Sequence, residues 1–375
     1  MKIYRPTWVD IDMQAVRHNF RTVRQMIGEQ VKICAIVKAN AYGHGYIKLS
    51  QLFVDEGVDF LAVATIDGAL KLREAGIEVP ILVLGWTPET AYREAVQKDV
   101  RLAMYDLQEI KKLNEVALQE GKKAIIHLKI DTGMTRLGLM ANEDGLEQAA
   151  QALALPETVV EGIFSHFSKA DEKSKEHSYQ QLTVFKDFVE CLEEKTAYHI
   201  PIHHIANSAA IIDLPEAQLD MVRPGIMLYG LQPSAEMNNQ VDLKPVLTWQ
   251  AKVSRVQKVP AGTLISYGGT YQAEQEMTIA TIPVGYADGY NRLLSNKGCV
   301  LYKGKKLPVV GRVCMDQFMV DATLAENIQV GDEVILLGQQ GEQSLTVTEM
   351  AEMLQTIEYE VLCAITNRVP RFYKK

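Results

Sequence analysis

Eight short apolar runs alternate with amphipathic segments over the first 230 residues of this 375-residue chain. A short apolar run bounded by turn residues is typical of a strand buried in a parallel sheet, and the segments between the runs have helical patterns. Eight strands with helices between them is the number found in a (β/α)8 barrel, and the length of this region fits that fold. The predicted strands are Lys32–Val37, Phe60–Ala64, Ile81–Leu84, Arg101–Met104, Ala124–Ile130, Val159–Ser165, His203–Ile205 and Met221–Arg223.

A doubly wound open sheet is the other fold that alternates strands with helices. It carries a Gly-x-Gly-x-x-Gly turn at the start of its first helix, and the sequence has no such turn there. We therefore predict an α/β, TIM-like (β/α)8 barrel. Its helices are expected at Leu49–Glu56, Thr65–Ala75, Glu89–Lys98, Leu107–Gln119, Asp144–Ala154, Ser178–Glu194 and Ser208–Asp213.

The sequence changes character after residue 233. Residues 234–242 are polar and typical of a linker or loop, and the strand patterns beyond them lack regular helices. We predict a barrel domain at 1–233 and a mostly β domain at 234–375, with the first few residues able to pair with the C-terminal domain. The strands predicted there are Leu247–Val259, Met277–Val284, Gly298–Tyr302, Leu307–Val310, Phe318–Ala322 and Asp332–Leu337, and one helix is predicted at Val347–Leu354.

Composition and charge exclude several classes of protein. A net charge of -8 argues against a nucleic-acid partner, which requires a basic surface. The five cysteines are scattered and form no Cys-x-x-Cys pair, as expected of free thiols in a reducing compartment. No apolar stretch approaches the length of a membrane-spanning helix, and the first residues do not resemble a signal peptide. We expect a cytoplasmic protein without a membrane or nucleic-acid partner.

The apolar run Ile33–Val37 ends at Lys38, and Gly43 and Gly45 follow in a loop of small residues. Lys38 is therefore expected at the C-terminal end of the first barrel strand, where α/β folds carry their chemistry. A partly desolvated lysine there can form a Schiff base with an aldehyde cofactor. A lysine that extends from the rim into water fits the spacing at least as well, so other residues must decide.

The loops after the seventh and eighth strands favour a ligand that bears a phosphate. Asn207 and Ser208 are good caps for a short helix, and Gly225 follows Arg223 in a turn where the backbone can approach a ligand. Many barrels bind phosphate in these two loops through backbone N–H groups, which Gly225 and Ile226 can offer. Together with the lysine on the first strand, these loops predict pyridoxal 5'-phosphate.

Four polar residues are expected at or near the mouth of the barrel. Arg223 keeps its proton, so beside the pyridine nitrogen it would weaken the ring as an electron sink and favour proton transfer over decarboxylation or transamination. His166 ends the sixth strand, and Arg136 follows the fifth in a glycine-flanked loop that suits a substrate carboxylate. Lys129 lies within the fifth strand, where a bare ammonium is costly. A polar network at the rim is the alternative for His166 and Arg136.

The histidines of the segment His199–His204 suggest a metal site, but we predict none. Pro201 excludes the helical i, i+4 pairing of histidines. No nearby carboxylate or cysteine is expected to complete a ligand set.

The predicted β domain contains three loops rich in glycine and tyrosine, at Ile265–Tyr271, Val284–Tyr290 and Gly311–Gln317. Tyrosines in such loops usually pack in a surface groove, which is the simplest explanation of the pattern. Neither a Ser-His-Asp set nor a Walker loop is found in the sequence.

Several separated motifs, in the right order, resemble those of bacterial alanine racemase, the two-domain fold-type III pyridoxal phosphate enzyme, over essentially the full chain. They are Val37–Gly45, Asn207–Ser208, Arg223–Gly225, Ser266–Gly268, Tyr286–Gly289 and Cys314–Gln317. The resemblance implies an isomerase that interconverts L-alanine and D-alanine, and a homodimer with active sites shared between subunits. It also implies supply of D-alanine for peptidoglycan in the cell wall, with alanine catabolism left open.

The resemblance further implies roles for individual residues. Lys38 would hold the cofactor covalently and act as the base on one face of the substrate, and Tyr267 of the partner subunit would act on the opposite face. Residues implied at the cofactor are Tyr42, Ser208, Gly225, Ile226 and Tyr359 at the phosphate, Asn207 beside them, and Arg223 at the ring nitrogen. Residues implied to support Arg223 and Tyr267 are His166 and His204. Residues implied at the substrate are Arg136, the backbone of Met315 and Tyr286, and Lys129 matches a position that is carbamylated in some relatives.

Two alternatives remain open. The first keeps the cofactor but changes the reaction, to a fold-type III decarboxylase of basic amino acids or a racemase of broader specificity. Decarboxylases usually place an acidic residue at the ring nitrogen, so Arg223 argues against that reaction. The second is a pyridoxal phosphate carrier without turnover, against which the β domain with Tyr267 and Met315 argues.

Overall fold

The computed structural model describes residues 4–375 and divides into two compact units. The first consists of Ala15–Ala41 and Tyr46–Lys244. The second consists of the N-terminal segment up to Gln14, Tyr42–Gly45 and Pro245–Lys375. The chain starts with strand β1 (Thr7–Asp12), followed directly by helix α1 (Met13–Ile27), neither of which the sequence patterns predicted.

The first unit is a nearly closed barrel of eight parallel strands, as predicted. In chain order the strands are β2 (Lys32–Ile36), β3 (Phe60–Val63), β4 (Ile81–Val83), β5 (Val100–Met104), β6 (Ala124–Asp131), β8 (Thr158–Phe164), β9 (Ile202–His204) and β10 (Met221–Val222), and a two-residue strand β7 (Leu139–Met140) lies beside β6. Each predicted run therefore forms a strand. Between β9 and β10, the N–H of Asp220 donates to His203 O (3.1 Å) and that of Arg223 to Ala206 O (3.0 Å), which brings the ends of the sheet together.

Helices connect these strands, and all but the first of them lie at the predicted places. They are α2 (Lys38–Tyr42), α3 (Tyr46–Asp55), α4 (Ile66–Glu74), α5 (Tyr92–Gln97), α6 (Leu107–Glu120), α7 (Glu143–Leu153), α8 (Glu176–Thr196) and α9 (Ser208–Asp213). Helix α6 shows why they form: Ile110, Leu113 and Ala117 lie at helical spacing and are buried. The side chain of Asp106 caps its first turn, and Gly121 ends it in the left-handed conformation.

The second unit is mostly β. Its remaining strands are β11 (Leu247–Lys252), β12 (Arg255–Val259), β13 (Leu264–Ile265), β14 (Tyr271–Gln272), β15 (Met277–Ile282), β16 (Cys299–Tyr302), β17 (Lys305–Pro308), β18 (Phe318–Asp321), β19 (Glu333–Gln340), β20 (Gln343–Leu345) and β21 (Arg371–Lys374), with helices α10 (Val347–Leu354) and α11 (Glu358–Ala364). The largest sheet has the order β17-β16-β19-β11-β1-β21, with β20 paired to β19. Strand β1 pairs antiparallel with β11 and parallel with β21. A second sheet has the order β12-β15-β18.

Two predictions for this unit were wrong. The stretch Leu247–Val259 forms two strands in different sheets rather than one strand. The chain changes sheet at Val253 and Ser254, whose N–H groups donate to Asp332 O and Thr281 O respectively. Helix α11 is a second helix near the end of the chain, whereas only one helix was predicted there.

None of the helices formed by residues 4–375 combines the length and the apolar character needed to cross a membrane. All five cysteines are free thiols.

Candidate active site

Lys38 follows β2 and is half-buried. The next four residues, Ala39–Tyr42, have φ angles between 50° and 56°, so this turn is left-handed. None of them is glycine, and the left-handed conformation costs L residues about 1–2 kcal/mol each. Asn40 tolerates it best, and its Oδ1 accepts the N–H of Tyr46 at 3.1 Å. Strain concentrated in this way is typical of functional sites.

Arg223 directly follows β10, and its side chain is almost completely buried. It donates to Nδ1 of His204 (2.8 Å), Nδ1 of His166 (3.0 Å), and the carbonyl oxygens of Ser165 (2.7 Å) and Ile205 (3.1 Å). Within residues 4–375 no carboxylate forms an ion pair with this guanidinium. Burial lowers the pKa of Arg223 to about 10, so it remains charged at neutral pH.

The hydrogen bonds of His204 continue through the barrel interior. Its Nε2 lies 2.8 Å from Nδ1 of His127, and Nε2 of His127 lies 3.1 Å from Oε2 of Glu161. Burial raises the pKa of Glu161, but hydrogen bonds from His127 and Arg101 outweigh it and lower that pKa to about 2. Burial lowers the pKa of both histidines. Because ionised Glu161 only accepts, each neutral histidine carries its proton on Nε2, which leaves Nδ1 of His204 to accept from Arg223.

A second cation, Lys129, lies in β6 beside this arrangement. Its side chain is nearly buried, and Nζ donates to Ile130 O at 2.7 Å. Burial lowers the pKa of Lys129 to about 7. The positive charges of Arg223 and Arg136 also lower this pKa, and the negative charge of Asp131 raises it. The neutral amine is therefore readily populated near physiological pH.

Arg136 lies in an exposed loop after β6. Asp131 shapes the start of that loop, since one of its oxygens accepts N–H groups from Gly133 (2.9 Å), Met134 (3.0 Å) and Thr135 (3.1 Å). Arg136 contributes to lowering the pKa of His166, after burial and Arg223, so His166 is neutral.

The loops after β9 and β10 meet at one point. Asn207 caps α9 by accepting the N–H of Ala210 at 3.0 Å, as the sequence predicted. The N–H of Gly225 donates to Oγ of Ser208 at 2.8 Å, and both groups are buried. Ile226 follows in a buried 3-10 turn. A phosphate bound by Gly225 would therefore have to take over the hydrogen bond that Ser208 now accepts.

In the second unit, Tyr42 and Tyr359 lie close together. Their ring centroids are 5.8 Å apart, and burial raises the pKa of Tyr42. Their hydroxyls are hydrogen-bond donors at neutral pH.

The three glycine- and tyrosine-rich loops come together in the second unit. Tyr267, Tyr286, Arg312 and Met315 line one cleft of about 530 Å³. A Cβ on Gly285 would lie 2.2 Å from Met315 O, so only glycine allows the loops this close approach. Tyr267 is 74% exposed and Met315 54% exposed.

Sequence reasoning missed the roles of His127, Glu161 and Asp131. Glu161 and His127 are 34 residues apart in sequence, and His127 and His204 are 77 apart. Polar residues facing inward in two barrel strands were the available signal for Glu161 and His127, and the Asp-Thr-Gly turn was the signal for Asp131.

A carboxylate does lie beside the histidine cluster, contrary to the prediction. Glu193, in the last turn of α8, lies beside both His199 and His203, so a carboxylate does complete a possible ligand set. That prediction was wrong because the chain reverses between α8 and β9 and brings residues six and ten positions apart together.

Comparison with known proteins gives one consistent result. The family model of the alanine racemase N-terminal domain matches residues 11–233, and that of the C-terminal domain matches residues 246–373. "Alanine racemase 2" of Caldanaerobacter subterraneus subsp. tengcongensis is 47% identical over 369 residues, which cover 98% of this chain and 95% of that protein. The structure of alanine racemase from Clostridium difficile 630 has a TM-score of 0.96 and 42% identity, and covers 100% of this chain and 97% of that one. Alanine racemase from Bartonella henselae with covalently bound pyridoxal phosphate has a TM-score of 0.88 and 31% identity, with coverage of 98% and 99%.

Proposed function

This chain belongs to the alanine racemase family, and from that premise we propose that it interconverts L-alanine and D-alanine with pyridoxal 5'-phosphate as cofactor. The observation that carries the proposal is the environment of Arg223. A buried cation that donates hydrogen bonds to two neutral imidazoles and two carbonyls suits a ring nitrogen that must stay unprotonated. That arrangement favours proton transfer at Cα over decarboxylation.

The residues of the first unit fit the cofactor. Lys38 has the amine that can hold an aldehyde, and it directly precedes the strained left-handed turn Ala39–Tyr42. The N–H of Gly225 donates to Oγ of Ser208 at 2.8 Å, and a phosphate oxygen would replace Oγ as the acceptor while the Ser208 hydroxyl donates to the phosphate. We assign the phosphate to these two residues with Asn207 and Ile226 beside them. Bound there, pyridoxal phosphate supplies an electron-withdrawing system that makes the Cα–H of the amino acid acidic.

Two bases are needed to invert Cα, one to remove the proton and one to deliver a proton from the opposite face. We assign the first to Lys38 and the second to Tyr267 of the partner subunit. Both side chains have an unperturbed pKa of about 10, so each must be tuned in the complex. His166, which accepts a hydrogen bond from Arg223 at 3.0 Å, is assigned a supporting role for Arg223 and Tyr267, as the family resemblance implies.

The substrate carboxylate is assigned to Arg136 and the backbone of Met315, with Tyr286 beside them. Arg136 offers a planar pair of donors that matches a carboxylate. Lys129 is assigned as a carbamylated residue, because a neutral amine reacts with carbon dioxide and its pKa of about 7 makes that form available. The resulting anion would replace a costly buried cation and orient Arg136.

We further propose a homodimer with shared active sites. In the single chain the side chains of Tyr267 and Met315 are 74% and 54% exposed. A residue that transfers a proton in an active site from which water is excluded must be buried when the site is complete. In a symmetric homodimer, a second copy of the chain can bury these residues at both active sites.

Tyr42 and Tyr359 are assigned to the phosphate, as the family resemblance implies.

The role assigned to the reaction is supply of D-alanine for peptidoglycan. Cytoplasmic location is assigned on the five free cysteines, which fit a reducing compartment. Substrate alanine is the small-molecule partner.

Incubation of the holoenzyme with L-alanine in deuterated water tests the proposal. We expect deuterium at Cα and D-alanine to appear together, because each inversion exchanges the proton with solvent. Deuterium without D-alanine would mean one working base and would refute the role of Tyr267 or the dimer. Release of carbon dioxide with loss of the carboxylate would identify a decarboxylase, and equal turnover of serine would identify a racemase of broader specificity. Bound cofactor with none of these signals would favour a carrier.

A further inference from the structure

We propose that Glu193, His199 and His203 form a binding site for a divalent transition metal of the zinc class, on the outside of the barrel. The three residues each offer one ligand atom, and these atoms all lie within 4.8 Å of one another. The site is separate from the residues assigned to the cofactor, so zinc binding and racemisation can succeed or fail independently.

The end of α8 places the carboxylate. Glu193 lies in the last turn of the helix, which ends at Thr196, and Ala197 adopts the left-handed conformation with φ of 51°. The chain then turns back, and the N–H of Ile200 donates to Oε1 of Glu193 at 2.7 Å. This bond fixes the carboxylate before any ion arrives, which lowers the entropic cost of binding.

The two histidines approach the same carboxylate from the segment that leads into β9. Nδ1 of His199 and Nε2 of His203 each lie 3.1 Å from Oε1 of Glu193. Ligand atoms placed tetrahedrally at zinc–ligand distances lie about 3.3 Å from one another. The two carboxylate–imidazole separations therefore already have the length that zinc coordination requires.

Rotation of one exposed imidazole ring can complete the site. The imidazole rings of His199 and His203 have centroids 5.8 Å apart and planes inclined at 72°, so both can direct a nitrogen to a common point. The side chain of His199 is 79% exposed and can rotate freely, while those of Glu193 and His203 are 23% and 20% exposed and are held by their surroundings. Two fixed ligands with one mobile ligand leave an entry path for the ion.

Asp220 adds an outer carboxylate. Its Oδ2 accepts the backbone N–H of His203 at 2.7 Å, and the same oxygen lies 3.8 Å from Nδ1 of the ring, which is longer than a hydrogen bond. Histidines that bind metals through one nitrogen commonly have a carboxylate at the other, which fixes the ring and strengthens the ligand. The donor set of two imidazoles and a carboxylate suits Zn²⁺ and other borderline cations rather than Mg²⁺ or Ca²⁺.

The same contacts have a simpler explanation as hydrogen bonds from two imidazoles to one carboxylate. That explanation accounts for the distances but requires both histidines to donate to Glu193. It predicts no dependence on metal ions, whereas a zinc site does, and the two are therefore separable by experiment.

The position of the cluster predicts what the ion does. The connection from α8 to β9 lies at the N-terminal ends of the barrel strands, opposite the ends where Lys38 and Arg223 follow their strands. That face of a barrel is concerned with stability and not with chemistry. Zinc should therefore raise the thermal unfolding temperature without changing kcat.

Equilibrium dialysis of the holoenzyme against Zn²⁺ tests the proposal. We expect one Zn²⁺ per chain, a higher unfolding temperature in its presence, and loss of both effects in His199→Asn and His203→Gln. The affinity should fall by about tenfold in Asp220→Asn, whose side chain still accepts a hydrogen bond but has no charge. Because His199 is exposed, its variant is expected to fold normally.

A matched control is His18→Asn. His18 is also partly exposed and lies 3.5 Å from a carboxylate oxygen of Asp242, but no second histidine joins that pair. Zinc binding should be unchanged in this variant. Zinc binding that survives His199→Asn and His203→Gln, or no binding by the unaltered holoenzyme, would overturn the proposal.

Discussion

Arg223 and Glu161 are the two charged ends of one buried chain of hydrogen bonds, which passes through His204 and His127. The carboxylate does not contact the guanidinium, and two neutral imidazoles separate them. Arg223 therefore gains an ordered acceptor in His204 without a neighbouring negative charge that would cancel its field. At a pyridine nitrogen, such an uncancelled cation keeps the ring unprotonated.

The first prediction concerns Glu161→Gln. Its amide can donate as well as accept, so the protons of His127 and His204 are no longer fixed on one nitrogen, and Nδ1 of His204 stops being a dependable acceptor for Arg223. We expect kcat to fall about tenfold, equal to ~1.4 kcal/mol, with little change in KM. The visible absorption of the bound cofactor should shift, which a purely structural role of Glu161 would not cause.

The control for this variant is Glu157→Gln. Glu157 pairs with the exposed Lys123 at 2.9 Å at the surface of the same unit, so its loss should leave kcat and the spectrum unchanged. Unchanged kcat and spectrum in Glu161→Gln as well would show that the chain of hydrogen bonds does not reach the reaction.

The second prediction concerns Tyr267→Phe. The side chain is 74% exposed in the single chain, so loss of its hydroxyl should not disturb folding. Racemisation should fall by about 10²-fold or more, since a positioned acid or base contributes that much. The cofactor should stay bound with its colour, and exchange of Cα deuterium in one enantiomer should persist through Lys38.

Tyr271→Phe is the matched control for that experiment. Tyr271 belongs to the same glycine-rich loop but lies outside the cleft that Tyr267, Tyr286 and Met315 line. It should keep full activity. Racemisation at the original rate in Tyr267→Phe would exclude this tyrosine as the second base.

The barrel could be predicted from the sequence because its strands are buried on both faces. Such strands are continuous apolar runs, like Phe60–Val63 and Ile81–Val83, and local patterns suffice to find them. Strand β1 was missed because Thr7–Asp12 is short and is neither a continuous apolar run nor a strict alternation, since Trp8 and Val9 are adjacent. Its partners lie in the C-terminal domain, where we expected the first few residues to be able to pair, but no local pattern shows which strands they are.

The candidate site was predictable in part for a related reason. Lys38 and Arg223 follow strands directly, so topology alone places them at one end of the barrel. Glu161 contacts a histidine that is distant in sequence, and Glu193 meets its two histidines only because the chain reverses after α8, so packing alone shows those contacts. The left-handed turn at Ala39–Tyr42 was also hidden, because alanine gives no signal for positive φ.

The third prediction concerns Asn40→Ala. The Oδ1 of Asn40 accepts the N–H of Tyr46, and asparagine tolerates the left-handed conformation better than alanine. Its replacement should lower the free energy of unfolding by about 1–2 kcal/mol, measured by urea denaturation. Asn40→Asp keeps the acceptor oxygen and the tolerance, so it should lose less. Equal losses in the two variants would mean that the hydrogen bond to Tyr46 does not hold the turn.

The fourth prediction concerns the pH dependence of stability conferred by Lys129. Burial lowers the pKa of Lys129 from 10.5 to about 7 in the folded protein. Between these values the unfolded chain binds a proton that the folded protein does not, so stability rises with pH across this window. The destabilisation by the buried ammonium is fully present below about pH 7 and disappears as the pH approaches 10.5, the pKa of this lysine in the unfolded chain. In buffer free of carbon dioxide, Lys129→Met should therefore raise the free energy of unfolding by a few kcal/mol near pH 6, and by much less near pH 10.

Carbon dioxide should change this result for the unaltered protein alone. The neutral amine of Lys129 can form a carbamate. This anion would lie near Arg223 and Arg136, where the protonated amine would be a third cation. Bicarbonate should therefore raise the unfolding temperature of the unaltered protein and leave that of Lys129→Met unchanged. Lys123→Met is the control, because Lys123 is exposed and pairs with Glu157 at the surface, so neither pH nor bicarbonate should distinguish it from the unaltered protein. A stabilisation by Lys129→Met that is the same at both ends of the pH range would show that packing of the methionine, and not removal of a buried charge, is responsible.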